Sequence, residues 1–349
     1  GTRKDVDKAV DGAERAVVSW SGVPAPHRGE ILLEVARLLR KQKERLGKLV
    51  ATEMGKILPE ARGDVQEAID VFEYMAGEGR RLFGQTTPSE LRQKFCCTVR
   101  TPVGVCGLIT PWNFPVAIPA WKMAPALVCG NTVVLKPSSD TPLCALELVR
   151  VLEEAGVPKG VVNVVTGSGE EVGNAMIAHP KVRALSFTGS RDVGEWIVRN
   201  AGVKRVGLEL GGKNAIIVMD DADLDLALEG VLFGAFGTAG QRCTAASRVI
   251  VHKAVKSEFE SKLVKRTEKL KVGDPLKSAT DVGPLIADRA VEKTHRYVEI
   301  GKREGAKVVT GVYIMKSRGF FYKPAIFTDV KPSMRIAQEE IFGPVTVLM

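Results

Sequence analysis

One cysteine, two carboxylates and an amide in this chain each have neighbours that suit them to chemistry. Cys243 lies in Gly240-Gln241-Arg242-Cys243-Thr244-Ala245, directly after the small-residue run Gly234-Ala235-Phe236-Gly237-Thr238-Ala239. A free thiol ionises near a pKa of ~8.5 and becomes a strong nucleophile only where its surroundings favour the thiolate. Arg242 offers positive charge beside it, and the flanking glycines leave the sulfur open to a small reactant. A cysteine alone is more often a small core residue, so its partners decide. Glu209 lies in Leu208-Glu209-Leu210-Gly211-Gly212-Lys213 and is expected to be buried in an apolar, glycine-flanked turn. Burial there would raise its carboxyl toward neutrality and suit it to general-base work. Asn113, in Thr110-Pro111-Trp112-Asn113-Phe114-Pro115, is an amide donor between two prolines that fix the backbone, as an oxyanion donor requires. In Glu339-Glu340-Ile341-Phe342-Gly343-Pro344-Val345, Glu340 offers a carboxylate to a sugar hydroxyl and Phe342 a ring to a flat cofactor.

These residues need a scaffold, and the pattern between 103 and 201 describes one. Apolar strands over 103–110, 131–135, 161–165 and 182–187 alternate with helices over 119–128, 141–155, 169–178 and 193–201. Continuous apolar runs alternating with helices indicate a parallel sheet covered on both faces. Ligands of such sheets sit at the carboxyl ends of the strands, where Thr110, Trp112 and Asn113, the segment from Lys136 to Ser139, and Thr188 to Ser190 all fall. Phe187-Thr188-Gly189-Ser190 ends a strand, turns and opens a helix. Gly189 would let backbone approach a pyrophosphate, and Ser190 would donate to it at the helix N-terminus. The same residues suit an ordinary capped turn equally well, since this is not the GxGxxG pattern.

Before the repeat, residues 5–83 read as helical scaffold, with Asp5 as a cap, a long helix over 27–56 and another from Pro59 to near Gly77. Residues 84–103 are polar and β-prone, which fits either an arm or a surface hairpin. After Lys213 a second αβ unit follows: a strand over 214–219, a helix from the Asp220–Asp223 caps to Gly230, a strand over 248–251, helices over 256–270 and 288–304, and strands over 307–309 and 325–326. The fold class is therefore α/β with two doubly wound domains. The expected division is a cofactor domain over 1–209 and a catalytic domain over 210–349, which puts Glu209 and Cys243 at an interdomain cleft, a favoured place for a site.

With Asn113, Glu209, Cys243 and Glu340 in this order, nearly the whole chain resembles the aldehyde dehydrogenase superfamily, in its NAD(P)-dependent, non-acylating, semialdehyde-type form. The resemblance implies oxidation of a small-molecule aldehyde to an acid through a thiohemiacetal and thioester on Cys243. It implies that Lys122 assists near Asn113 and that Lys136, Ser138 and Ser139 meet the adenosine ribose. It also implies that 84–103 is an oligomerisation arm of a homodimer or homotetramer. Strictly NAD-using relatives often carry glutamate where this chain has Ser139. A serine there removes the repulsion of a 2′-phosphate, so the expected cofactor is NADP or NAD. Arg242 could pair with an aldehyde bearing a distal carboxylate or phosphate, unless it points away from its neighbour's face. The family continues past Met349, so the catalytic domain is expected to lack its C-terminal part. The alternatives are a non-catalytic dinucleotide-binding protein, a cysteine hydrolase and a coenzyme A-acylating enzyme. A binder needs neither nucleophile nor base, a hydrolase lacks a recognisable histidine partner here, and Glu209 favours hydrolysis over acyl transfer.

Composition narrows the rest. The 349 residues carry 45% hydrophobic and 26% charged residues, ordinary for a soluble globular protein. The net charge of +9 comes from basic residues scattered among acids, so no nucleic-acid partner is expected. No apolar run has transmembrane length, so no membrane partner is expected either. The cysteines Cys96, Cys97, Cys106, Cys129, Cys144 and Cys243 and the four histidines show no metal-ligand spacing, so no metal is expected. Apart from Cys243, the cysteines are expected to pack as small apolar residues in a reducing cytoplasm.

Overall fold

The computed structural model describes residues 1–315 and 318–349, which divide into two compact units: 1–46 with 62–209, and 47–61 with 210–349. The first unit opens with α1 (Arg3–Gly22), α2 (Ala25–Met54) and α3 (Leu58–Glu78); the joined ends of α2 and α3 pack with the second unit. Asp5 is not the cap of α1. It lies in the first turn, where its carboxylate accepts from the Thr2 N–H at 2.8 Å, because the extended backbone of Thr2 precedes the helix. A two-stranded hairpin, β1 (Thr86–Thr87) and β2 (Cys96–Cys97), follows and is largely exposed.

The repeat then runs β3 (Val105–Ile109), α4 (Ala117–Val128), β4 (Thr132–Lys136), α5 (Pro142–Glu154), β5 (Val162–Val164), α6 (Asn174–Ala178), β6 (Val182–Gly189), α7 (Arg191–Asn200) and β7 (Arg205–Leu210). Ahead of α6 the chain makes a π-helical turn over Gly169–Gly173, so the helix expected over 169–178 is α-helical only in its second half. The sheet order is β5-β4-β3-β6-β7, with β3 parallel to both β4 and β6. Every residue of β3 and β4 is buried, as strands covered on both faces by helices require. β7 was not anticipated. It is an edge strand with strict alternation of exposed and half-buried residues, the pattern of a strand covered on one face only.

The second unit contains β8 (Ala215–Val218), α8 (Leu224–Phe236), β9 (Arg248–Val251), α9 (Lys256–Glu268), α10 (Asp288–Arg303), β10 (Lys307–Thr310), β11 (Ala325–Thr328), α11 (Arg335–Gln338) and β12 (Val345–Leu348). Its sheet order is β10-β11-β12-β9-β8, parallel except for the antiparallel β10. Asp223 caps α8, its carboxylate accepting from the N–H groups of Asp225 and Leu226 at 3.0 and 3.1 Å. α8 continues past Gly230 to Phe236, because Val231, Leu232, Ala235 and Phe236 are core residues packed with Val249, Phe327 and Val347. That burial outweighs the cost of a mid-helix glycine, roughly 1 kcal/mol. Among the described residues no helix is long and apolar enough to cross a membrane, and no group of histidine, cysteine and acidic side chains is arranged for a metal. All six cysteines are free; Cys106 and Cys144 are buried, but Cys97 is exposed, since it lies on the hairpin rather than in a core.

Candidate active site

In the second unit the parallel strands β8, β9 and β12 lie side by side, and the segments entering them carry Gly211 to Lys213, Cys243 and Glu340. Two close approaches join these segments. A Cβ on Gly240 would lie 2.2 Å from the Gly343 carbonyl oxygen, and one on Gly211 would lie 2.2 Å from Glu340 Oε2. Phe342, at φ +61°, takes the left-handed conformation rare for a bulky residue. A small pocket lies among Gly212, Gly240, Ala245, Ser247, Glu340 and Phe342.

Cys243 is half-buried in the turn after α8. That turn is strained. Thr238 (φ 53°, ψ 31°) and Ala239 (φ 53°, ψ 36°) are consecutive left-handed non-glycine residues, followed by Gly240 at φ +70°. Such residues cost roughly 1–3 kcal/mol each and persist only where their surroundings over-determine them. Here the surroundings do so. The Thr238 N–H donates to both oxygens of Glu60 at 2.9 Å, and its hydroxyl donates at 3.2 Å. Gln241, fully buried, donates from Nε2 to the Thr238 carbonyl at 3.1 Å and accepts from the Ile286 N–H at 3.0 Å. Asn214 Nδ2 donates to the Cys243 carbonyl at 2.5 Å. Glu60, Gln241 and Asn214 hold the cysteine turn, and the sequence reading assigned a role to none of them. Only Gln241, inside the glycine-flanked motif, offered a signal.

Arg242 also lines the small pocket, and its guanidinium is engaged with the end of α8. Its guanidinium donates to the Phe233 and Gly234 carbonyls and lies 4.3 Å from the Phe233 ring centroid. These carbonyls belong to the last turn of α8, where the helix dipole is negative and a cation is favoured; each also accepts a backbone N–H, from Gly237 and from Ala246, so the guanidinium is a second donor to both.

The two adjacent glutamates differ sharply. Glu339 accepts from Arg335 at 2.8 and 2.9 Å and from the Tyr297 hydroxyl at 2.8 Å, which hold its carboxyl down to about 2. Glu340 is pushed up by burial, opposed by Lys293, a hydrogen bond from the Gly212 N–H, and Lys213. Lys213 is pushed down to about 8, by burial first and by Arg248 next; its buried Nζ makes no hydrogen bond among the described residues.

The first unit holds the other candidates. Asn113 is buried directly ahead of α4, whose start is fixed by Asp64 accepting from the Ala117 N–H at 2.7 Å. Trp112 is half-buried beside it. Lys122, on α4, is half-buried, and burial pushes it down to about 8 against the opposing charge of Glu209; its Nζ donates to Ser186 Oγ at 2.8 Å. Glu209 itself departs from expectation. It is exposed on β7 instead of buried in a turn, because it occupies the solvent-facing alternate position of an edge strand.

At the carboxyl ends of the first sheet the residues fit a dinucleotide. Thr110 Oγ1 is buried with no hydrogen-bond partner. A Cβ on Gly189 would lie 2.4 Å from Phe187 Cζ, so only glycine lets the chain turn there. Ser190 precedes α7 without its side chain capping it, which leaves the hydroxyl and the first N–H groups for an anion. Lys136 Nζ donates to the Pro137 and Gly167 carbonyls at 2.8 and 3.1 Å, leaving one of its three hydrogens for a sugar hydroxyl. Ser139 donates to the same Gly167 carbonyl at 3.1 Å, and Ser138 Oγ accepts from the Asp140 N–H at 3.2 Å.

Comparison with known proteins identifies the family. The model of the aldehyde dehydrogenase family matches residues 1–349. The chain belongs to the aldehyde dehydrogenase family. It is 44% identical over 355 residues to the alpha-ketoglutaric semialdehyde dehydrogenase of Bacillus subtilis (strain 168), covering 100% of this chain and 72% of that one. Among solved structures, betaine aldehyde dehydrogenase from Staphylococcus aureus in complex with NAD+ superposes with a TM-score of 0.98 at 38% identity, over 100% of this chain and 71% of that one. An E. coli NADP dependent enzyme superposes with a TM-score of 0.97 at 40% identity, over 100% and 73% of the two chains. The family's reaction, oxidation of an aldehyde to an acid with NAD or NADP, is therefore the activity of this chain.

Proposed function

We propose that Cys243 is the nucleophile of this oxidation, Asn113 and the Cys243 N–H the oxyanion donors, and Glu209 the base of the second half-reaction. The Cys243 thiolate adds to the aldehyde carbon, and the carbonyl oxygen takes up the negative charge between the two donors. NAD(P), when bound, supplies the acceptor for the hydride whose loss turns this adduct into a thioester. Glu209 then takes a proton from water as its oxygen adds to the thioester carbon, and collapse releases the acid and restores the thiolate. Lys122, its ammonium destabilised by burial and balanced by Glu209, adds positive charge near these steps.

Glu340 and Phe342 serve the nicotinamide half of the cofactor in this reading. Thr110, Trp112, Gly189 and Ser190 serve its backbone and pyrophosphate, and Lys136, Ser138 and Ser139 its adenosine ribose. The exposed Ser139 carries no charge against a 2′-phosphate, which supports use of NADP alongside NAD. The Arg242 Nη2 is engaged by two carbonyls of α8, which weakens the case for this residue as the partner of an anionic substrate. We further infer a homodimer or homotetramer joined through the arm, on which Phe83, Leu91, Phe95 and Val99 are exposed. A reducing cytoplasm suits the six free thiols.

The catalytic assignment rests on one observation: the cysteine turn and the Glu340 segment enter neighbouring strands and meet at one small pocket. The test is Cys243→Ala. NAD(P)H formation from aldehyde is expected to vanish while cofactor binding persists; retained activity would overturn the assignment. In Glu209→Gln one burst of NAD(P)H should survive with slow turnover, since hydride leaves before the base is needed.

A further inference from the structure

Glu60 stands 183 positions before Cys243 in the chain, yet it is the main support of the turn that presents that thiol. After α8 ends at Phe236, the chain must reverse through Thr238, Ala239 and Gly240, all at positive φ. The Thr238 N–H, turned out of the helical ladder by this reversal, finds its acceptor in Glu60. Both carboxylate oxygens take that N–H, and one also takes the Thr238 hydroxyl.

Arg242 closes the arrangement from the other side. A Cβ built on Gly237 would lie 2.8 Å from Arg242 Nη2 and 3.0 Å from Glu60 Oε1, so the two opposite charges converge over this glycine. Lys56, buried at the corner between α2 and α3, is the other charged group acting on Glu60. Together these residues form a charged cradle built around the reversed turn, which two residues, Gln241 and Arg242, separate from the cysteine.

We propose that Glu60 is a positioning residue for Cys243: its carboxylate, with Arg242 over Gly237, locks the left-handed Thr238–Ala239–Gly240 turn so that the thiol is offered in a single backbone conformation. This rests on Cys243 being the nucleophile. Burial raises the Glu60 carboxyl, against the opposing effects of the Thr238 N–H, Lys56 and Arg242. Protonation would remove the charge that holds both Thr238 and Arg242, so the lock loosens as pH falls through the raised ionisation.

The test compares wild type, Glu60→Gln, Glu60→Ala and Cys243→Ala. The measurements are the rate of Cys243 alkylation by iodoacetamide between pH 5 and 9, kcat and KM for cofactor, and Tm. In Glu60→Ala, alkylation and kcat should fall about tenfold or more, since small misplacements of reacting groups carry such costs, while cofactor KM stays within about twofold. Glu60→Gln keeps one acceptor for the Thr238 N–H and should fall between the two. Its alkylation profile should lose the acid limb that Glu60 contributes in wild type and retain only the ionisation of the thiol. If Glu60→Ala does not fold, the Glu60→Gln profile decides alone. Alkylation and kcat within twofold of wild type, with an unchanged profile in Glu60→Gln, would overturn the proposal. Activity retained by Cys243→Ala would instead show that the nucleophile assignment had failed.

Discussion

The two sheets of this protein use opposite edges for their functional residues. In the first unit Thr110, Lys136 and Gly189 lie at the carboxyl ends of β3, β4 and β6. Chain leaving those ends enters helix N-termini, whose free N–H groups and positive dipole suit a phosphate. In the second unit Gly211 to Lys213, Cys243 and Glu340 lie at the amino ends of β8, β9 and β12. Ahead of β9 and β12 the chain has come from α8 and α11, so the nearby dipole ends are negative, whereas ahead of β8 it comes straight from β7. Such an edge does not attract an anion and does not favour a thiolate. The second unit offsets this with fixed cations: Arg242 on the α8 carbonyls, and Lys213 and Lys293 beside Glu340. A binding edge can rely on backbone that every parallel sheet provides, whereas a reactive side chain at the opposite edge needs strained turns and buried charges built for it.

Three experiments would break or sharpen this contrast. The largest effect is expected from Asn113→Ala, which removes a side chain the first unit holds rigidly ahead of α4. Turnover should fall on the order of 10²–10³-fold, as when an oxyanion donor is lost, with cofactor KM little changed. A loss confined to KM would move Asn113 from chemistry to binding.

Ser139→Glu tests the binding edge. A carboxylate beside Lys136 would repel a 2′-phosphate, and kcat/KM for NADP relative to NAD should drop about tenfold, the order of one charged contact. An unchanged ratio would show that Ser139 does not face the 2′ position.

The smallest effect concerns the cost of the buried cations. Lys213 has a folded pKa of about 8, below the ordinary lysine value. Between these two values the unfolded chain binds the extra proton, so the contribution of Lys213 to stability improves as pH rises through that window. Below it, burial of the ammonium is a standing penalty. Lys213→Met should therefore raise Tm by roughly 5 °C at pH 7 and by less at pH 10. An equal gain at both pH values would show that Lys213 is not buried as a charge.

The sequence alone marked strands β3 to β6 of the first unit and the candidate reactive groups. Strands such as β3 and β4 are continuous apolar runs because both faces are covered, and that period is visible without coordinates. Asn113, Cys243 and Glu340 stand out because prolines and glycines mark the turns around them. β7 was invisible as a strand, since a one-sided edge strand ending in two glycines reads as a turn; with it went the exposure of Glu209. Only the tertiary structure decided what Arg242 touches, which of Glu339 and Glu340 is held by its own helix, and what holds the cysteine turn. From the sequence Arg242 could reach a substrate or a helix end; in the structure its guanidinium donates to the Phe233 and Gly234 carbonyls at the end of α8. Glu60 and Thr238 are 178 positions apart, and no local pattern carries a contact made by packing two distant helix ends together. Periodicity and turn chemistry are local and can be read along the chain; hydrogen-bond partners of strained or buried groups are set by which distant segment arrives beside them.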